Sequence, residues 1–287
     1  MKDYLSLIKF SHTIFALPFA ILGYTLATIE SGGHPDWKIF VLVLLCMIFA
    51  RSAAMAFNRL LDRDIDELNP RTKIREIPAG IISSRNALFF VIFNVVAFLV
   101  TTFFINDICF YLAPVALLII LGYSYTKRFT ALCHVVLGLG LSLAPIGAYL
   151  AVIGHFDLLP VLYSVAVLFW VAGFDIIYAL QDEAFDKSLS LHSIPVSLGT
   201  DGALRLSSIF HLICAGTIIF AAYVLQQNYL YLGWINWIAV IIFIGLLLRQ
   251  HRLVKPNDLS KVDLAFFTTN GLASICFCGL IVLDLFF

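Results

Sequence analysis

The sequence predicts an all-α integral membrane protein, with nine transmembrane helices around a central cavity, arranged as two four-helix pseudo-repeats plus one extra helix. Three observations predict it: an apolar composition, nine apolar runs near membrane-spanning length, and basic residues gathered on alternate loops. Hydrophobic residues make up 61% of the 287 and charged residues 13%, with a mean hydropathy of +0.98. A soluble domain carries roughly 25% charge, so this chain lacks the polar surface to cover itself in water.

The runs cover residues 12–30, 38–58, 87–106, 108–125, 131–153, 158–180, 203–225, 230–249 and 263–286. Each is close to the ~20 residues that cross a hydrocarbon core of about 30 Å. The first contains Pro18 and runs straight into a loop, so it reads as a retained helix rather than a cleaved signal. Threaded alternately, the runs leave the N-terminus and the loops 59–86, 126–130, 181–202 and 250–262 on one side. That side, with the adjoining helix ends, holds 16 of the 18 basic residues; Lys38 lies opposite and Arg51 falls within a span. The positive-inside rule makes this face cytoplasmic, in a bacterium the cytoplasmic face of the inner membrane. The rule was not needed to place the spans, so its agreement supports nine of them. No linker or low-complexity segment divides the chain, and residues 1–287 are expected to form a single domain. The formal net charge is zero, and no nucleic-acid partner is expected. The six cysteines form no CxxC pair and mostly sit inside spans, as small apolar residues in a reducing setting do.

Two loops are long: 59–86 with 28 residues and 181–202 with 22. Long loops among short ones are usually functional. A faint internal repeat leads into both. His12 precedes Asp62 by 50 residues and His134 precedes Asp182 by 48. Pro18, Gly23 and Tyr24 in the first half answer Pro145, Gly147 and Tyr149 in the second. Nine spans then divide into two units of four and one extra, with a site expected at the interface.

Each long loop opens on paired carboxylates. If the second helix continues beyond the membrane, Asn58, Asp62 and Asp66 recur every four residues and share one face. Asp182 and Asp186 follow the sixth helix with the same spacing. One acidic loop is ordinarily a solvated surface; two matched loops after repeat-related helices point to a site. Magnesium takes hard oxygen ligands, usually one or two carboxylates plus substrate phosphate oxygens. Two facing carboxylate pairs therefore suit Mg2+ ions gripping one diphosphate, with Arg63, Arg71, Lys73, Lys127 and Arg128 to balance phosphate charge.

Two more charges fall inside spans. Arg51 lies seven residues before Asn58 and Asp175 seven before Asp182, so each shares a face with its motif. A charge at membrane depth costs about 2.5–3.5 kcal/mol on insertion scales and almost always faces a cavity or a partner. Arg51 and Asp175 are expected to line a central pocket and to pair with each other. Asn94, His211, Asn236 and Asn270 are expected to bond between helices, and His12, near the cytoplasmic end of the first helix, is a candidate substrate contact.

The run Asn58-Arg59-x-x-Asp62-x-x-x-Asp66, with Asn69-Pro70-Arg71-Thr72 and Ile77-Pro78-Ala79-Gly80, resembles the first motif of the UbiA superfamily of intramembrane prenyltransferases. Tyr178 through Asp182-x-x-x-Asp186, then His192-Ser193-Ile194-Pro195, resembles its second, and Tyr123-x-x-x-Lys127 its short Tyr–Lys motif. The resemblance spans nearly the whole chain. It implies a nine-helix fold, magnesium dependence and transfer of a polyprenyl group from polyprenyl diphosphate to an aromatic acid acceptor, 4-hydroxybenzoate or a dihydroxynaphthoate, in ubiquinone or menaquinone formation. By position, Asn58, Asp62, Asp66, Asp182 and Asp186 would bind magnesium–diphosphate, Lys127 and Arg71 would contact phosphate, and Tyr123 would lie near the reacting carbon. His192 stands where 4-hydroxybenzoate enzymes often carry Lys. With Gln181 before Asp182, the His-Ser-Ile-Pro form looks more like the branch of the futalosine route to menaquinone.

In such a reaction the allylic carbon becomes cation-like as diphosphate leaves, and aromatic faces, with Tyr123 and Tyr178 as candidates, stabilise it. Asp175 is the candidate general base. Two rivals share some features. A transporter would place its carboxylates at the bilayer midplane, beside broken helices. A related enzyme with haem, a chlorophyll precursor or a glycerol-phosphate lipid as acceptor would share the acidic motifs.

Overall fold

The computed structural model describes residues 2–8 and 15–286. His12 lies outside them. The described residues form helices joined by turns, with no strand beyond an isolated bridge between Lys255 and Asp258. Eight helices are long and apolar enough to cross a membrane, and the shorter apolar α2 (Leu17–Glu30) stands beside them. With α2, the expected nine are present among the described residues.

The helices begin where a side chain satisfies their first amides. Asp36 accepts from the Lys38 and Ile39 amides and opens α3 (Trp37–Leu61). Ser83 caps α5 (Ser84–Phe103), Asn106 caps α6 (Asp107–Thr126) and Asp157 caps α8 (Leu158–Ala179). Ser193 caps α10 (Ile194–Asn228), whose Pro195 sits in the first turn, where a missing N–H costs nothing. Completing the set are α1 (Lys2–Leu7), α4 (Arg63–Leu68), α7 (Cys133–Ile153), α9 (Glu183–Ser188), α11 (Ile235–Leu253) and α12 (Asn270–Phe286), the last preceded by a π-helical turn over Leu264–Thr269.

Two boundaries differ from the apolar runs. The helix α10 starts nine residues before its run, and Gly199, with φ 67°, breaks it near that start. A side chain at such a φ would strain the backbone. The second difference bears on the site. Neither acidic motif is a continuation of one helix. In the first half, α3 stops at Leu61, Asp62 leaves the helix with ψ near 7°, and α4 restarts at Arg63. In the second, α8 stops at Ala179, a 3-10 turn carries Leu180–Asp182, and α9 restarts at Glu183. The same break at the same aspartate in both halves supports the pseudo-repeat.

Between lipid-facing helices there is no hydrophobic drive, so close backbone approach and dense packing hold the bundle together. The first helices of the two halves meet at Gly23, where an added Cβ would stand 2.1 Å from the Pro145 carbonyl oxygen. The largest core gathers Phe19 of α2, Tyr163, Trp170 and Phe174 of α8, Phe243 of α11 and Phe277 of α12. Of the span polar residues, His211, Asn236 and Asn270 bond between helices as expected. Asn94 does not: its amide donates to the Phe90 carbonyl one turn earlier in α5.

Candidate active site

The two helix breaks bring the four motif aspartates to one face of the bundle, and cations hold three of them. Asp62 and Asp66 are buried. Asp62 Oδ2 lies 2.7 Å from Lys127 Nζ and accepts from Asn58 Nδ2 at 3.2 Å. Arg128 reaches Asp62 Oδ1 at 3.4 Å and the Leu61 carbonyl at 2.9 Å, bridging the end of α6 to the end of α3. Asp66 takes Arg75 Nη1 on both oxygens, at 2.7 and 2.8 Å. Asp182 takes the Arg71 guanidinium in a two-pronged fork, with Nε to Oδ1 at 3.1 Å and Nη2 to Oδ2. Asn69 supports that fork, accepting from the Arg71 amide and donating to Asp182. Burial alone would push the Arg71 guanidinium down, but the hydrogen bond and charge of Asp182, with Tyr178 beside it, hold it above its ordinary range. Asp186 lies within electrostatic reach of Lys127, Asp182, His134 and Arg71.

Below this rim is an apolar cavity of about 380 Å³ between α3, α5, α6 and α7. Its polar lining side chains are Arg51, Thr102 and Tyr123, apart from the thiols of Cys46 and Cys109. Tyr123 lies within electrostatic range of Asp62, Asp175 and Arg51 at once, so it stands between the carboxylates and the cavity. Tyr178 stacks on Phe266 with ring centroids 4.1 Å apart, and Arg71 covers its ring at 5.7 Å while donating to its hydroxyl. Phe266 lies within the π-helical turn.

Three sequence expectations are corrected. Asp175 pairs with His134 rather than Arg51: Oδ2 accepts from His134 Nδ1 at 2.7 Å. The Ile194 amide donates to His134 Nε2, so that nitrogen holds a lone pair and the proton sits on Nδ1. Arg63 turns outward to Asp64 and the Leu60 carbonyl, and among the described residues Lys73 forms no ion pair with a motif aspartate. His192 is exposed. Its amide donates to the Lys127 carbonyl at 2.7 Å, tying the second loop to the Tyr–Lys segment through backbone alone.

Four residues belong to the site without having been singled out for it. Arg75 and Asn69 hold carboxylates from within the first loop. His134 joins α7, α8 and the start of α10, and its place in the repeat was the one available signal. Arg59 is buried with Nη1 lacking a hydrogen-bond partner, in electrostatic range of Asp66 and Glu76.

Among the described residues no three His, Cys, Asp or Glu side chains stand close enough to hold a metal alone. The donor set is all hard oxygen, two carboxylates on each of two helix ends, which fits magnesium ions that take their remaining ligands from a phosphate-bearing substrate and water.

A family model described as the UbiA prenyltransferase family matches residues 16–272. The chain belongs to that family. This UbiA-family chain is 30% identical over 259 residues to a 4-hydroxybenzoate octaprenyltransferase of Nitrosomonas europaea, covering 90% of the chain and 86% of that protein. It is 28% identical over 288 residues to one from a Marinomonas species, covering 98% and 97%. Among solved structures, the apo UbiA homologue of Aeropyrum pernix K1 superposes with a TM-score of 0.82 at 31% identity, covering 95% of this chain and 98% of that one. A UbiA homologue from Archaeoglobus fulgidus, solved with GPP and Mg2+, shares the fold at 22% identity and a TM-score of 0.77, covering 99% and 100%.

Proposed function

We propose that this UbiA-family enzyme transfers a polyprenyl group from polyprenyl diphosphate to an aromatic acid, 4-hydroxybenzoate or a dihydroxynaphthoate, in quinone biosynthesis. The observation that carries the reading is the pair of matched helix breaks, each presenting two aspartates to one face of the bundle, with Asp62 linked through Tyr123 to an apolar cavity. The relatives named 4-hydroxybenzoate octaprenyltransferase support the choice of acceptor class. The basic loops support a cytoplasmic position for this face, in a bacterium that of the inner membrane.

Asn58, Asp62, Asp66, Asp182 and Asp186 would hold magnesium with the diphosphate. Magnesium, when bound, neutralises the charge that develops on the departing diphosphate. Arg71, Lys127 and Arg128, which rest on Asp182 and Asp62, exchange those carboxylates for phosphate oxygens when the substrate binds. This keeps the buried carboxylates paired in both states, as buried charge requires. The cavity takes the prenyl chain. Its apolar walls exclude water from the allylic carbon, and the face of Tyr123 stabilises positive charge there, while the Tyr178 ring is held between Phe266 and Arg71. Arg51 pairs with the carboxylate of the aromatic acid. Asp175, with one oxygen fixed by His134, offers the other to the proton leaving the acceptor.

The test is direct: membranes holding the protein, with magnesium, a long polyprenyl diphosphate and a panel of aromatic acids, examined by mass spectrometry. The expected result is a prenylated acid that disappears with chelator and with Asp62→Asn or Asp182→Asn. A folded protein that binds prenyl diphosphate but prenylates no aromatic acid would overturn the acceptor assignment.

A further inference from the structure

On the membrane face that carries the aspartates, α10 and the end of α11 border a second, open pocket of about 280 Å³ that none of the four motif aspartates lines. Its polar residues are Asp201, Arg205, Ser208, His251 and Lys255. Two permanent cations face one carboxylate, so the pocket is net positive before His251 is counted.

The helix periodicity ties this pocket to the lipid-facing surface. Asp201, Arg205, Ser208 and Leu212 follow one another at steps of four, three and four, along one face of α10. Leu212 is 72% exposed, and Leu248, one turn before His251 on α11, is 57% exposed. A positive pocket at the membrane boundary therefore opens onto an apolar surface running into the bilayer. A free anion uses only the first half of that arrangement; a phospholipid uses both.

The hydrogen bonds beneath the pocket respond to what fills it. The Trp170 carbonyl can only accept, so His211 Nε2, 3.2 Å away, carries a proton and His211 Nδ1 accepts. His251 Nε2, 2.8 Å from that nitrogen, must then be the donor. Ser208 Oγ lies 2.9 Å from the Leu204 carbonyl and 3.3 Å from His251 Nδ1, with one proton to give. Given to Leu204, the shorter contact, it leaves Ser208 accepting from a protonated Nδ1, and His251 is an imidazolium. Given to His251, it leaves both rings neutral but the Leu204 carbonyl without a proton from Ser208. Only the imidazolium form gives every contact a proton, and an anion in the pocket offsets the repulsion from Arg205 and Lys255 that opposes it.

We propose that this pocket binds the phosphate of an anionic membrane phospholipid, with Arg205, Lys255 and protonated His251 around the headgroup and the acyl chains along Leu212 and Leu248. Basic pockets between transmembrane helices on a cytoplasmic face suit such headgroups. None of these residues lines the apolar cavity or contacts a motif aspartate, so the proposal does not depend on the reaction assigned above.

The test uses the purified full chain, with phosphatidylglycerol and phosphatidylcholine competing for retention in native mass spectrometry. The expected result is a preference for phosphatidylglycerol of roughly tenfold or more. It should vanish in Arg205→Gln/Lys255→Gln and persist in the control Arg249→Gln/Arg252→Gln. Excess inorganic phosphate should not displace the lipid. An unchanged preference in the pocket variant would overturn the proposal, and displacement by phosphate would assign the pocket to a free anion. A readout independent of variants is the nitrogen resonance of His251 in lipid nanodiscs. An imidazolium signature that grows on replacing phosphatidylcholine with phosphatidylglycerol is expected; identical spectra would refute the headgroup contact.

Discussion

Lys127→Met is expected to move metal affinity and diphosphate affinity in opposite directions. In this structure Lys127 Nζ sits 2.7 Å from Asp62 Oδ2, on a carboxylate that is 2% exposed. Coulomb attraction at that distance, with an effective dielectric constant of about 20, is roughly 6 kcal/mol before desolvation. Lys127 is partly exposed, and Arg128 and Asn58 stay on Asp62 when it is removed. The net worth of the contact is therefore nearer the 1.5–3 kcal/mol of a hydrogen bond to a charged group. That is about ten- to hundred-fold in an equilibrium constant. With the competitor gone, Mn2+ alone, titrated by electron paramagnetic resonance, should bind more tightly by about that factor. A non-hydrolysable prenyl diphosphate, titrated calorimetrically with magnesium present, should bind more weakly by a similar factor, because its phosphate loses the ammonium. Weaker metal binding would mean that Lys127 orients Asp62 rather than competing for it. Unchanged diphosphate affinity would remove Lys127 from the phosphate site. Either result would refute the exchange of partners.

Four further outcomes are expected. Chelation should abolish transfer, and Mg2+ or Mn2+ should restore it better than Ca2+, whose longer bonds and higher coordination number suit this donor set less well; activity after each re-addition measures this. His134→Ala leaves the Ile194 amide and Asp175 without their partner and should cost about 2–4 kcal/mol, read as a lower unfolding midpoint in detergent. Asp175→Asn added to it should recover part of that loss. Gly23→Ala should destabilise by about 1–3 kcal/mol, since α2 and α7 must separate to admit the methyl group, and thermal unfolding checks it. Gly147→Phe, which projects into the apolar cavity, should slow transfer from a long-chain donor far more than from the shortest one in paired rate measurements.

The spans were legible because lipid imposes one rule on every residue that faces it, and a run such as 131–153 needs no tertiary knowledge to be recognised. Helix ends were legible only where the apolar run and the helix stop together. Ile194–Gly202 is helical around its break at Gly199 yet polar enough to read as loop, and Asp62 looks like a continuation when it is a break. Within the site, spacing gave the face of each side chain but not what stands across from it. Arg51 and Asp175 were placed facing inward by their seven-residue offset, but α7 contributes His134 to Asp175, a contact 41 residues distant. The pairing of cations with carboxylates is hidden for the same reason. Arg75 and Arg63 look equivalent in a charged loop, and only the fold of that loop turns one toward Asp66 and the other toward solvent.

The break at Asp62, repeated at Asp182, divides each half of the site into an anchored part and a hinged one. The upstream aspartate follows a membrane-spanning helix, while its downstream companion rides on six residues, Arg63–Leu68 or Glu183–Ser188. A helix that short holds few hydrogen bonds of its own, so its orientation follows its side-chain contacts, such as Arg75 on both oxygens of Asp66. Grip and release of the diphosphate then need only two small jaws to close and open, while every transmembrane helix stays where the bilayer holds it. Turnover should accordingly depend little on bilayer thickness or stiffness, and strongly on whatever stiffens the two six-residue segments.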